Sequence, residues 1–131
     1  MKCPCHSTKE YSECCAPFHQ GTLPATAEQL MRSRFCAYSM GNVDYILETT
    51  HPKHVDQKLP IQERRAQIEA FYSQTAFDGL EILEHLDTLP FAYVTFQATL
   101  KQGEYDVSFT EKSRFEKIEG KWYYLDGTFI D

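Results

Sequence analysis

The sequence predicts an α+β fold preceded by a small metal-binding knuckle, on three observations. Four of the five cysteines fall within the first 15 residues, in a segment almost without core-forming side chains. From Thr26 to Thr75 the apolar residues recur with a helical period. After Asp78-Gly79 the period shortens to that of strands. Helices followed by antiparallel strands pack as α+β. A strongly curved sheet closed by those helices makes a cone with one open end. The division expected is a knuckle over 1–20 and a domain over 21–131.

The knuckle reads Cys3-x-Cys5, eight residues, then Cys14-Cys15. Short loops suffice to gather four sulfurs, and four thiolates suit tetrahedral Zn(II) better than any hard cation. Such an ion would also tie down a segment that cannot bury a core of its own. Pro4 restricts the first turn. Ser7 and Thr8 are available to donate hydrogen bonds to sulfur, and Lys9 offsets local negative charge. Tyr11 and Phe18 are the aromatics that pack the knuckle onto something else. His6 and His19 compete as ligands on chemical grounds, and unliganded or reactive thiols are a third reading. CxC differs from the CxxC redox motif, and no helix follows Cys3 to depress its pKa.

CPCHSTKEYSECC resembles the SEC-C zinc motif, with both cysteine pairs, Ser7, Lys9 and Tyr11 in place. That resemblance implies Cys3, Cys5, Cys14 and Cys15 as ligands of a structural zinc. His6 and Thr8 stand where the motif has glycines. A side chain in such a turn costs about 1 kcal/mol.

Gly21 to Pro24 forms a hinge. Thr26 is an N-cap with Gln29 as its capping-box partner, and the helix it starts ends at Gly41 or Asn42. At 100° per residue, Ala27, Leu30, Met31 and Tyr38 share its inward stripe. Arg34 lies near the middle of that stripe, while Arg32 and Cys36 point away. A charge aimed at the core must snorkel, pair, or meet a ligand. Arg34 is thus an ion pair or carbonyl clamp on the plainer reading and an anion-pocket residue on the sharper one. Asn42 caps a short second helix, which His51-Pro52 ends. His51 is either a base at a cavity mouth or a packing histidine, and His54 is expected to be exposed. The third helix spans Pro60 to Thr75, with Ile61, Ile68 and Tyr72 inward and Arg64, Arg65 and Glu69 on its polar flanks.

Strands are expected over 80–89, 91–101, 104–118 and 121–129. Turn signals at Gln102-Gly103 and Glu119-Gly120 favour successive antiparallel pairing. Trp122, Tyr124 and Asp126 share one strand parity, and Tyr123 and Leu125 the other. The candidate cavity residues are Arg34, Tyr38, His51, Arg114, Trp122, Tyr124 and Asp126.

Composition bounds the function. A chain of 131 residues, 42% hydrophobic and 14% aromatic, suits one folded domain with an appendage. A net charge of −6 argues against a broad nucleic-acid surface, leaving local patches at Lys58 with Arg64 and Arg65, and at Lys2 with Lys9. No run approaches the roughly 20 apolar residues of a membrane span, and no signal-peptide core is present. A cytoplasmic protein without membrane contact is expected. An odd, tightly clustered cysteine set argues against a secreted disulfide framework. No phosphate loop, HExxH run or serine-triad signature is present.

PATAEQLMRSRFCAY, DYILETTHP and SRFEKIEGKWYYLDG are similar to the YchJ-like family, also grouped as UPF0225. The resemblance implies a SEC-C knuckle on an NTF2-like cone, a fold that hosts enzymes, ligand sites and dimer surfaces alike. It implies contacts with protein or ribosome-associated partners for the knuckle. A zinc-binding module for a protein partner or a small ligand is the leading reading. A small enzyme is the first alternative, in which His51 or Asp126 takes a proton while Arg34 or Tyr38 stabilises charge. A nucleic-acid-binding knuckle is the second, and a homodimer through aromatics on the open sheet is compatible with all three.

Overall fold

The computed structural model describes residues 1–131. Its helices are α1 (Ala16–His19), α2 (Ala27–Met40), α3 (Val43–Glu48) and α4 (Ile61–Ser73). Its strands are β1 (Ala76–Leu86), β2 (Phe91–Gln102), β3 (Tyr105–Asp106), β4 (Phe109–Ile118) and β5 (Lys121–Ile130). The strands form one antiparallel sheet in the order β1-β2-β4-β5, with β3 a short addition to β2. The expected α+β class holds. The extra helix α1 follows directly on Cys15, with Pro17 in its first turn, where a missing N–H costs nothing. The strand expected over 104–118 is split, because Val107 and Ser108 leave the ladder between β3 and β4.

Local chemistry fixes the helix ends as expected. The Thr26 hydroxyl accepts from the Gln29 N–H at 3.1 Å. The Gln29 side chain reaches back one residue further than a capping box requires, to the Ala25 N–H at 2.7 Å. Gly41 closes α2 in the left-handed region at φ +73°, and Asn42 caps α3 by accepting from the Tyr45 N–H at 3.2 Å.

The core lies between α2 and the concave face of the sheet. Leu30, Val94 and Phe115 are fully buried there, joined by Ala27, Met31, Phe35, Phe96 and Trp122. Helix α4 turns Ile68 inward and half-buries Tyr72, as expected. Arg64, Ile68 and Phe71 face inward, whereas Ile61 is exposed. The reason is position: Ile61 begins the helix beside Pro60, before α4 reaches the body of the fold.

A bulge on β5 corrects the parity expected there. Tyr124 pairs with Phe115 but Asp126 pairs with Arg114, so Leu125 is an extra residue. Trp122 and Tyr124 therefore face the interior, while Asp126 emerges on the outer face with Arg114. The Arg114 Nε and Nη2 donate to the Asp126 carboxylate at 3.0 and 2.7 Å. On that outer face cations cover the aromatics: Arg114 over Phe91, Lys112 over Tyr93 and Lys121 over Tyr123. This cover lessens the apolar exposure that motivated a dimer through the sheet.

Gly41 is required twice, by its φ and by the Tyr72 ring, whose nearest carbon would lie 2.8 Å from an added Cβ. Gly41→Ala is expected to lower stability by about 1–3 kcal/mol in urea unfolding.

Candidate functional site

Folding gathers the first cysteines as their spacing predicts. The sulfurs of Cys3, Cys5, Cys14 and Cys15 all lie within 4.8 Å of one another. Cys5 and Cys14 are 3.6 Å apart, and Cys14 and Cys15 4.0 Å. Cys3, Cys5 and Cys15 are buried and Cys14 is half-buried. Soft sulfur donors converging from two tight turns can hold a metal ion. Hydrogen bonds led by Cys15, with Ser7, Cys3 and Cys14 adding to them, hold Cys5 down to about 4 against the opposing effect of burial. Burial pushes Cys3 up to about 12. The Ser7 hydroxyl lies 3.2 Å from the Cys14 sulfur, within hydrogen-bonding distance.

The knuckle is docked onto the domain through the helix face that the stripe analysis left pointing away. Arg32 donates from Nη1 to the Cys5 carbonyl at 3.2 Å and from Nε to Glu28 at 3.2 Å. Cys36 is fully buried against the knuckle, with its sulfur 3.9 Å from that of Cys3. Two histidines complete the joint. His19 donates from Nε2 to the Ser33 carbonyl at 2.9 Å, so its Nδ1 accepts from the Tyr11 hydroxyl at 2.8 Å. Both ring nitrogens are thereby occupied away from the sulfurs. His6 reaches the Phe77 carbonyl on β1 at 3.0 Å from a backbone at φ +62°. A contact glycine could not make therefore accompanies the strain at this turn. Thr8, at φ +74°, carries similar strain with an exposed side chain and no such contact. Lys2 is engaged by Glu10 at 3.4 Å, which reduces the basic patch expected on the knuckle.

Behind α2, the cone holds a cavity of about 340 Å³. Its wall is mainly apolar, including Met31, Phe35, Phe77, Phe96, Phe109 and Phe115, with a polar group formed by Arg34, Glu111, Ser113 and Tyr124. The Glu111 carboxylate accepts from the Ser113 hydroxyl and, at 3.2 Å, from the Tyr124 hydroxyl. Gly127 makes room for it, since a Cβ there would strike that carboxylate. Burial, reinforced by the Glu111 charge, pushes the Tyr124 phenol above its usual range. A second, polar cavity of about 240 Å³ shares Arg34, Tyr38 and Tyr124 with the first.

Of the seven cavity candidates, Arg34, Tyr38 and Tyr124 line this space. Arg34 has no carboxylate partner. Its Nη1 clamps the Ile46 carbonyl and the Thr49 and Thr50 hydroxyls at 3.1, 2.8 and 3.3 Å, and its guanidinium lies over Tyr124. The other four lie elsewhere. Trp122 is a core residue whose Nε1 donates to the Ala25 carbonyl at 3.2 Å. Arg114 and Asp126 are on the outer face. His51 is buried beside β5, with Nε2 at 2.6 Å from the Glu116 carboxylate and Nδ1 accepting from the Lys53 N–H at 2.9 Å. The pairing of His51 with Arg34 that an enzyme would need is not assembled. Glu111 and Ser113 were missed. Alternation with Phe109 and Phe115 on β4 was the signal that could have found them.

A family model described as "YchJ, middle NTF2-like domain" matches residues 26–127. A UPF0225 protein of Streptomyces coelicolor is 40% identical, over 98% of this chain and 96% of its own. One from Actinobacillus succinogenes is 39% identical, over 96% of this chain and 80% of its own. Among solved structures, a SEC-C motif containing protein from Rhodopseudomonas palustris superposes with a TM-score of 0.84 at 32% identity, covering 100% of both chains. One from Psychrobacter arcticus gives 0.82 at 31%, covering 100% of this chain and 84% of that one.

The two roles open to His19 separate in a single variant. His19→Ala is expected to lower stability by about 1–3 kcal/mol through the orphaned Ser33 carbonyl and Tyr11 hydroxyl, while metal content per chain is unchanged.

Proposed function

The chain belongs to the YchJ-like UPF0225 family, and from that premise we propose that it is a zinc-stabilised small-ligand-binding module. The ligand occupies the cone. The observation that carries this reading is the 340 Å³ cavity, apolar along most of its wall and polar at one group of side chains. Binding sites of small molecules have this composition: apolar surface supplies affinity and a few fixed polar atoms set orientation. Here those atoms are on Arg34, Glu111, Ser113 and Tyr124, whose own hydrogen bonds hold them in place.

The ion is Zn(II), held by Cys3, Cys5, Cys14 and Cys15 in a structural role. Tetrahedral Zn–S bonds of about 2.3 Å set sulfurs roughly 3.8 Å apart, and the separations of 3.6 and 4.0 Å bracket that value. Four protein ligands leave no open position for chemistry. Cys36 remains a thiol next to the Cys3 sulfur, as a hydrogen-bonding neighbour of the centre. Since the inner face of the knuckle is committed to α2 and β1, a protein partner would meet only its outer rim around Thr8, Lys9 and Glu13. That favours the cone over the knuckle as the binding element.

Zinc content tests the first half: it should fall from one per chain to near zero in a Cys14→Ser, Cys15→Ser variant, and undiminished zinc would refute the ligand set. The neutral probe N-phenyl-naphthylamine tests the second half. Saturable fluorescence enhancement is expected, weakened at least about tenfold by Ala98→Leu, which fills the cavity wall. No saturable binding by the folded, zinc-loaded chain would contradict the reading.

A further inference from the structure

We infer that the second cavity, between α2, α4 and the segment 54–57, is a binding site for a small oxyanion, the carboxylate or phosphate group of a metabolite. Two arginines line it, Arg34 and Arg64, each only 9% exposed. Neither has a carboxylate within ion-pairing distance, although five ion pairs of amine or guanidinium with carboxylate form elsewhere in the chain. The single carboxylate of the cavity wall is Asp56, which is half exposed and approaches His54 at 3.8 Å. Two guanidinium charges against one carboxylate leave an excess of one positive charge in a mainly closed, polar space.

Hydrogen bonding points the same way. The Arg64 Nη1 donates to the Gln57 side-chain oxygen at 3.0 Å, and Gln57 is itself anchored to the His51 carbonyl at 3.1 Å. That fixes the guanidinium. Its Nε–H is fully buried and has no acceptor, the one buried side-chain polar atom in the chain in that condition. Every hydrogen bond of Arg34 runs from Nη1, leaving Nη2 and Nε uncommitted. Buried donors are almost always satisfied, and planar guanidinium groups match carboxylate and phosphate oxygens. An oxyanion bound here neutralises the excess charge and gives the uncommitted Arg34 donors an acceptor. His54, tilted at 39° against Tyr124, accepts the Asp56 N–H at Nδ1, so the neutral ring keeps its proton on Nε2 as a further donor. Burial, with Arg34 and Arg64 adding to it, lowers the pKa of His54 and favours that neutral form. A nucleic-acid phosphate is disfavoured by the net charge of −6.

The site shares Arg34, Tyr38 and Tyr124 with the cone but does not depend on a ligand there. The test uses the zinc-loaded full chain at constant ionic strength, titrated with inorganic phosphate or acetate, with chloride as control. The readout is the Nε–H resonance of Arg64. A saturable shift with a Kd of about 1 mM or tighter is expected for an oxyanion and none for chloride. Tighter binding of phosphate assigns a phosphoryl group, and tighter binding of acetate a carboxylate. In Arg64→Met the anion response, read from the Arg34 resonance, should weaken by at least tenfold. Ligand-free Arg64→Met should not melt below the wild type, since an unpaired buried charge is removed. No saturable shift with either anion, or an equal response in Arg64→Met, overturns the site. Should that variant fail to fold, the wild-type titration decides alone. Failure here with naphthylamine binding intact removes only this site, and the reverse outcome removes only the cone reading.

Discussion

Helix α2 is buried on two sides at once, and most of the molecule is arranged around that constraint. Leu30, Met31 and Phe35 press one face into the sheet, while Arg32 and Cys36 receive the knuckle on another. Between them Ser33 and Arg34 are buried polar residues with defined partners. The Ser33 carbonyl takes His19, its hydroxyl lies 2.7 Å from the Tyr45 hydroxyl, and Arg34 clamps the end of α3. A helix so enclosed cannot satisfy its polar side chains with water, so each partner becomes a positional constraint. The same helix forms a wall of both cavities. The knuckle, the core and the candidate ligand sites are therefore coupled through one 14-residue element.

The two cavities divide the chemistry of the interior. The cone is apolar, and its one carboxylate, Glu111, is already supplied with hydroxyl donors. The neighbouring space has the opposite character, with cationic donors in excess and one donor without a partner. Arg34 and Tyr124 stand between the two environments. Their packing, guanidinium over ring at 4.8 Å, separates an apolar compartment from a charged one. The SEC-C structures share this overall architecture. The chemistry of these particular residues is what suggests a use for it.

Much of this was legible in the sequence because it is local. The cysteine spacing, the Thr26 and Asn42 caps, Gly41, and the turns at Gly103 and Gly120 each depend on a few neighbouring residues. What could not be read depends on tertiary packing. The bulge at Leu125 turns Asp126 outward, and strict alternation cannot show an inserted residue. The His51 segment runs beside β5, with Thr50 bridged to Tyr124, so a cavity-mouth position inferred from a helix end fails. Arg64 reads as a flank residue when Ile61 sets the phase, and as a buried one only once the position of α4 is known. Cys36 and Arg32 point away from the core stripe as periodicity says. Periodicity does not reveal that a second layer covers them.

A metal held by the knuckle, as proposed, would clamp α2 and so shape the space behind it. Amide hydrogen exchange along α2, measured before and after removal of the metal by a chelator, tests this most directly. The account predicts that protection falls across residues 30–38 while β2 and β4 keep theirs, because the sheet retains its own ladder. Unchanged protection in α2 after complete metal removal would contradict it.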